Sequence, residues 1–349
     1  MSALAINGVG LRLGESGVLN NVSLTVPQGK ITALLGPARA GKTALLRAIA
    51  GLEAPQAGTI RIGEDTVFDA VTKVVVPPEK RGIGLMFQSG ALWPHWSVRD
   101  NLAFIARLRG TADDEAKAQA NRLLDRLSLI EIGGHKPAQL SARDRQRAAL
   151  GRALIGAPRL LLLDEPLGGL EADTGERMWL RQLLTEAGIT TLIATRDRME
   201  AFALAEHVAI MNAGAIEQAG APADIFTKPA TPFVANFMAP CTGIEGTLVE
   251  KAGPRAFIEV MGTRIGGVNC TDAALGETCT GMIRIERVLI GGGPGLNRLG
   301  MKLASQTYLG ERWEIAFVSD ARTVRAHATA PLRHEFYHVE FPPDALWIY

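Results

Sequence analysis

Cysteine, aromatic residues and net charge are all scarce in this chain. Its three cysteines, Cys241, Cys270 and Cys279, form no C-x-x-C pair and leave an odd number. That argues against a disulfide framework or a zinc ribbon and fits a reducing compartment. Aromatic residues make up 5% of the sequence and none precedes Phe68. Lys and Arg number 37 against 36 for Asp and Glu, a net charge of +1. A strongly basic nucleic-acid binder is excluded on charge, though not a local basic patch. No apolar run approaches the ~18 residues of a spanning helix. The N-terminus lacks the basic-then-apolar pattern of a secretory signal, so none is expected.

What is present is a chain of 349 residues, 47% hydrophobic and 21% charged. That is enough for a sizeable core and longer than one ordinary domain, so two are expected, residues 1–240 and 241–349. The first part alternates short apolar runs with helical stretches. Ile31-Thr32-Ala33-Leu34-Leu35 reads as a buried strand, with a helix over 43–52 ending near Gly51. Leu160–Asp164 and Thr190–Thr195 read as further strands, and 113–129 as a charged, exposed helix. Continuous apolar strands separated by helices predict a sheet covered on both faces. Beyond Pro240 the texture becomes β-like: 246–249, 256–260, 282–285 and 313–318, separated by glycine-rich turns. The expectation there is a small all-β barrel. With 11 basic and 12 acidic residues, this part is no nucleic-acid arm.

Gly36-Pro37-Ala38-Arg39-Ala40-Gly41-Lys42-Thr43 fits G-x-x-x-x-G-K-[ST] between a predicted strand and a predicted helix. Loop N–H groups and the helix N-terminus suit nucleotide phosphates. Lys42 supplies a charge for the β/γ oxygens, and the Thr43 hydroxyl a ligand for Mg²⁺. Asp164 and Glu165 end an all-apolar strand. The first carboxylate suits Mg²⁺ through water, and the second suits polarising an attacking water.

With these residues the chain resembles the ATP-binding subunits of ABC importers along essentially its whole length. Gly36 to Thr43 matches the Walker A motif and Leu160–Asp164 with Glu165 the Walker B motif. Phe87-Gln88-Ser89 matches the Q-loop, and 91–101 the segment that receives a permease helix. Leu140-Ser141 followed by Gln146 and Arg147 matches the signature region. The tail resembles the regulatory β-barrel of importers for molybdate, sulfate, ferric iron, polyamines and sugars, with Met282-Ile283-Arg284-Ile285-Glu286 as its strand motif. The resemblance implies an α/β P-loop nucleotide-binding domain followed by a TOBE/MOP-like, OB-type barrel. It also implies ATP and Mg²⁺ as cofactors, the latter on Thr43, Gln88 and Asp164. Glu165, Gln88 and Arg196 become the catalytic group, and Leu13 borders the base. Ser141 would contact a nucleotide in trans. Implied partners are a second ATPase subunit, permease subunits docking near residues 88–98 and, indirectly, a solute-binding protein, with no nucleic acid. The implied location is the cytoplasmic face of the inner membrane, peripherally. The 65–70 and 74–81 segments look most like the inorganic-anion and ferric-iron branch.

Several positions depart from the family pattern. Leu-Ser-Gly-Gly-Gln is replaced by Leu140, Ser141, Ala142, Arg143 and Asp144. Side chains at 142 and 143 restrict backbone approach to a phosphate, and Asp144 adds a negative charge. The switch pattern Thr-His-Asp reads Thr195, Arg196, Asp197. Arginine donates only and stays charged, whereas histidine also accepts. Leu13 stands where an aromatic stacks on adenine, Arg39 where the loop favours glycine, and Glu171 where the family has Asp. Walker motifs kept beside altered signature and switch motifs resemble the degenerate half of an asymmetric ATPase pair. A heterodimer is favoured over a homodimer. A non-hydrolysing regulatory half, and a soluble ABC ATPase outside transport, are the alternatives.

Trp93 and Trp96 are expected to form a docking surface, His334 and His338 a plain surface pair, and the three cysteines small apolar fillers.

Overall fold

The computed structural model describes residues 2–14, 16–169, 173–291, 293–320 and 322–349. Two compact units emerge, Met1–Ile225 and Phe226–Tyr349.

The first unit is built on a six-stranded sheet ordered Ala215–Gly220, His207–Asn212, Ile31–Leu35, Thr190–Thr195, Leu160–Asp164 and Ile83–Met86. All neighbours run parallel except the Ala215–Gly220 edge. Every position of Ile31–Leu35, Leu160–Asp164 and Thr190–Thr195 is buried. This is why those segments read as unbroken apolar runs rather than alternating ones. The bounds agree with the sequence expectation. The order sends the carboxyl ends of Ile31–Leu35, Leu160–Asp164 and Thr190–Thr195 to one edge, where ligands of such sheets bind.

An antiparallel sheet of five strands was not visible in the periodicity: Ser16–Pro27, Ser2–Leu13, Ala57–Ile62, Asp65–Asp69 and Val74–Val75. Its first pair is interrupted by register shifts, for example between Ile6 and Val9, which break the period-two pattern. Its inward residues Val22, Leu24 and Val26 share one core with Leu34, Leu45, Ile49, Leu160 and Leu192. The phosphate-loop helix, Lys42–Ala50, thus joins the two sheets. The charged 113–129 segment forms the helix Asp113–Arg126, which buries only Ala116, Ala120 and Leu124 on one face.

The second unit contains a closed barrel of Cys241–Ala252, Arg255–Val260, Thr263–Asn269, Leu346–Ile348 and Thr278–Arg284. Beyond the expected barrel stands a second, five-stranded sheet: Leu289–Ile290, Phe336–Glu340, Arg298–Tyr308, Trp313–Ser319 and Arg322–Ala328. Ile258, Ile283, Phe317 and Val339 of the two sheets belong to one core. Barrel closure depends on the penultimate residues of the chain, which pair parallel to Val268 and Asn269 and antiparallel to 281–283. The helix Pro232–Met238, placed before residue 240 in the sequence, groups with this unit because Ala235 packs with Cys241 and Trp347. Cys241 and Cys279 are buried as fillers, but Cys270 is exposed, since it follows the end of its strand.

The phosphate-loop helix has an unusual C-terminal anchor. Arg81, 3% exposed, donates Nη1 to the carbonyls of Ala48 (3.0 Å) and Ile49 (2.7 Å) and Nε to Val76 O (2.8 Å). It satisfies the Ile49 carbonyl that the helix end leaves orphaned, adds a second donor to Ala48 O beside the Gly51 N–H, and places a cation at the negative end of the dipole. Gly51 makes room for it, since a Cβ there would lie 2.7 Å from the guanidinium. Replacing Arg81 by Met is expected to destabilise the first unit by on the order of 2–4 kcal/mol, because buried carbonyls lose their donors. Urea unfolding monitored by circular dichroism measures this; a shift under about 0.5 kcal/mol would contradict the anchoring role.

Candidate nucleotide site

The 36–43 loop lines a cleft of about 660 Å³. Its shape comes from close backbone approaches. A Cβ on Gly36 would sit 2.2 Å from Met211 O, and one on Gly41, at φ 104°, 2.8 Å from Val18 O. Only glycine fits either position. The loop is fastened by Gly36 N–H to Thr195 O (3.3 Å) and by Gly214 N–H to Ala40 O (3.0 Å). The 213–214 turn is itself held by Asn20, which donates Nδ2 to Ala213 O (2.9 Å). Arg39 takes a left-handed φ of 64° at the position where the family favours glycine.

Lys42 is 6% exposed and donates Nζ to the carbonyls of Gly36 and Pro37, both at 2.8 Å. Burial lowers its pKa below the ordinary lysine range, while Glu165 works the other way. Thr43 Oγ1 donates to Asp164 Oδ2 at 2.9 Å. Asp164 is 5% exposed, and burial raises its pKa despite the Thr43 hydroxyl. A buried carboxylate beside a hydroxyl, with the Gln88 amide at the cleft wall, is the hard oxygen set that suits Mg²⁺. Among the described residues no cluster of three or more His, Cys, Asp or Glu forms a metal site elsewhere.

Glu165 and Arg196 meet in the same cleft. Arg196 Nε lies 2.8 Å from Glu165 Oε1, Arg196 Nη2 donates to Oε2 at 3.1 Å, and Gln88 Nε2 donates to Oε2 at 3.2 Å. Leu13 stands at the rim, 46% exposed. Ser141 is not part of this cleft. It caps the helix Ala142–Leu154 by accepting Asp144 N–H (3.1 Å), and its hydroxyl donates to Asp144 Oδ2 (2.6 Å). Arg143 turns back to the buried Glu176 (3.5 Å), which Arg147 also holds through Nε and Nη2 at 3.2 Å. Residues 170–172, and with them the Glu171 departure, lie outside the described residues.

Trp93, Trp96 and Phe104 pack on one another with centroids 4.7–5.3 Å apart, leaving Trp96 37% exposed. A groove of about 720 Å³ runs past Trp93, Ile105, Leu108 and Arg152.

A strand–glycine loop–helix on a parallel sheet, with a carboxylate pair at the end of the next strand but one, defines a P-loop ATPase cassette. The ABC transporter family matches residues 19–168. Over 289 residues the chain is 40% identical to the spermidine/putrescine import ATP-binding protein PotA of Pseudomonas aeruginosa strain UCBPP-PA14, covering 82% of this chain and 78% of that one. Over 293 residues it is 41% identical to the sulfate/thiosulfate import ATP-binding protein CysA of Mycobacterium tuberculosis strain H37Rv, covering 82% and 80%. Over 227 residues it is 42% identical to the trehalose/maltose import ATP-binding protein MalK of Thermococcus litoralis, covering 64% and 61%. Among solved structures, the dimeric post-hydrolysis ATP-binding cassette MJ0796 bound to ADP and Pi matches with a TM-score of 0.55 and 26% identity, covering 62% of this chain and 98% of that one. The chain belongs to the ABC transporter family, as one of its import ATP-binding, ATPase subunits.

Three structural roles escaped the sequence. Asn101, fully buried, pairs with the backbone of Trp93 in both directions and caps Ser97 O, so it shapes the tryptophan loop. Arg152 donates to the carbonyls of Gly90 and Ala91 and lies 5.0 Å over the Trp93 ring. Glu200, 2% exposed, accepts the Thr195 hydroxyl on Oε2 (2.5 Å), while its Oε1 is buried without a partner. A polar residue inside an apolar helical run is the only sequence signal for any of them.

Burial pushes the Glu200 carboxyl from 4.5 up to about 7, with Asp197 and Glu165 adding to the rise. The folded state therefore holds a proton that the unfolded chain has released between these values. Glu200's contribution to stability is full below pH 4.5 and is lost as pH rises through 7. Glu200→Gln is expected to exceed the wild type in stability at pH 8 by on the order of 2–3 kcal/mol, the difference shrinking toward pH 4. Urea unfolding at both pH values checks it; a difference independent of pH would refute the assignment.

Proposed function

We propose that this chain works as one half of a head-to-tail heterodimer of ABC ATPase subunits, on the cytoplasmic face of the inner membrane, energising solute import. The observation that carries this is the closed Ser141–Asp144 ring: the signature hydroxyl donates to its own chain's carboxylate at 2.6 Å. A signature serine so engaged, beside a negative charge, is a poor donor to a γ-phosphate presented by a partner. A partner with an intact signature would complete the cleft of this chain, whereas two copies of this chain would set two engaged signatures against two phosphates.

ATP is the nucleotide of the cleft in this reading. The 36–43 loop and the N-terminus of Lys42–Ala50 cradle its phosphates. Lys42 exchanges the Gly36 and Pro37 carbonyls for phosphate oxygens. Leu13 offers an apolar edge to the base without the gain of ring stacking, roughly 1–3 kcal/mol in nucleic-acid cases. Thr43, Asp164 and Gln88 would hold Mg²⁺, which supplies charge compensation between the β- and γ-phosphates. Glu165 stands in the catalytic position, with Arg196 in that of the switch histidine.

Import in this reading uses membrane subunits as partners; no helix among the described residues is long and apolar enough to cross a membrane. The groove beside Trp93, with the exposed edge of Trp96, suits the insertion of a permease helix near residues 88–98. Gln88 lines the nucleotide cleft at the start of that segment, so one loop can report the state of the phosphates to the permease. A solute-binding protein acts through the permease. The compared relatives are named for polyamines, sulfate and sugars at similar identity, so the cargo belongs to the permease and binding protein.

Steady-state Mg-ATP hydrolysis tests the pairing. The purified chain alone is expected to turn over no faster than Lys42→Ala, while still binding ATP. The quadruple variant Ala142→Gly, Arg143→Gly, Asp144→Gln, Arg196→His is expected to gain about tenfold or more, since it restores donors at the phosphate. Wild-type turnover well above the Lys42→Ala blank would instead make this chain a working homodimer.

A further inference from the structure

The described cations lining the phosphate-loop cleft are Arg39, Lys42, Arg47 and Arg196. The last three are engaged within the chain. Lys42 donates to the Gly36 and Pro37 carbonyls, Arg47 lies 3.6 Å from Glu53, and Arg196 holds Glu165. Arg39 is different. Its side chain is exposed, and no described residue forms a hydrogen bond or ion pair with it.

The backbone makes arginine a costly choice at this place. Ala40 N–H closes a turn onto Pro37 O at 3.4 Å, and Arg39 is the third of its four residues, at a φ of 64°. Glycine or asparagine suits that place, because a Cβ crowds the backbone when φ is positive. Packing does not call for a side chain there, since Arg39 is exposed. A strained residue without a partner, lining a cleft, calls for an acceptor from outside the chain.

The charges of the cleft give the sign of that acceptor. Arg47 offsets Glu53, Arg196 offsets Glu165, and the buried Lys42 is opposed by Asp164. Arg39 is the surplus cation. It precedes Lys42 by three residues, on a loop whose N–H groups suit phosphates. A guanidinium carries five donors in a planar fork that fits two oxygens of one phosphoryl group.

We propose that Arg39 is a specificity residue for the nucleotide. Its guanidinium binds the terminal phosphoryl oxygens of a nucleoside triphosphate and makes this cleft prefer triphosphate to diphosphate. The proposal rests on the nucleotide reading of the same cleft and adds a side-chain contact to the one the loop backbone makes. The contact comes from this chain alone, so it acts before a partner subunit arrives. A half that turns over slowly stays loaded in this way.

The test is equilibrium binding to the full chain, by calorimetry, of Mg-ADP and of the Mg complex of the ATP analogue with an imido β–γ bridge. Arg39→Gly removes the guanidinium and relieves the turn. It should lower affinity for the triphosphate about tenfold, the scale of one charge-assisted contact, and leave that for ADP within about twofold. Arg39→Lys, a point charge without the planar fork, should fall between. The thermal midpoint of ligand-free Arg39→Gly should equal or exceed that of the wild type, since glycine tolerates the left-handed turn. Unchanged triphosphate affinity in Arg39→Gly overturns the proposal. So does an equal loss of both nucleotides, which would make Arg39 a residue that shapes the loop. Either result with normal wild-type and impaired Lys42→Ala binding removes this proposal alone. A wild-type chain that binds neither nucleotide removes the nucleotide reading as well.

Discussion

One close contact between backbones organises the first unit. At Gly36 the chain leaves its strand within contact distance of the Met211 carbonyl, where a Cβ would stand at 2.2 Å. Because the chain can pass there, the loop turns tightly enough for its helix to start at Lys42 and run between two sheets. Asn20, Ala213 and Gly214 then fasten the loop from the opposite side, and Arg81 anchors the far end of the helix. The phosphate-binding geometry is a property of this clamped segment as a whole. Lys42 and Thr43 inherit their directions from it.

Around that frame, the departures from the family pattern share one physical form. Three of the substituted polar side chains engage a partner in their own chain: Arg196 with Glu165, Asp144 with Ser141, Arg143 with Glu176. Charges that would be costly to leave alone near a buried site are compensated locally. In the proposed reading these are the groups that would otherwise meet phosphate and water, so the internal contacts and the phosphate loop compete for the same cleft. Glu200 belongs to the same region, since its carboxyl ties the strand before Arg196 to the helix after it.

Legibility differed by element for physical reasons. Ile31–Leu35, Leu160–Asp164 and Thr190–Thr195 were readable because a strand buried on both faces has no polar position. The Ser2–Leu13 and Ser16–Pro27 pair was not, because register shifts scramble its alternation. The barrel-closing strand Leu346–Ile348 is three residues long and pairs with segments far away in the chain. Local periodicity holds no record of such a contact.

The sequence by itself determined the phosphate loop, its strand and helix, the paired acids at 164 and 165, and the positions where the family pattern is broken. These are local facts: spacing, glycine placement and apolar runs dictate them within a few residues. Only the tertiary structure decided what the broken positions do. Whether Arg196 faces a phosphate, a water or an acid depends on a carboxylate 31 residues away on another strand. Ion pairs form according to distance and burial in the folded chain, and neither quantity is written in the order of the residues.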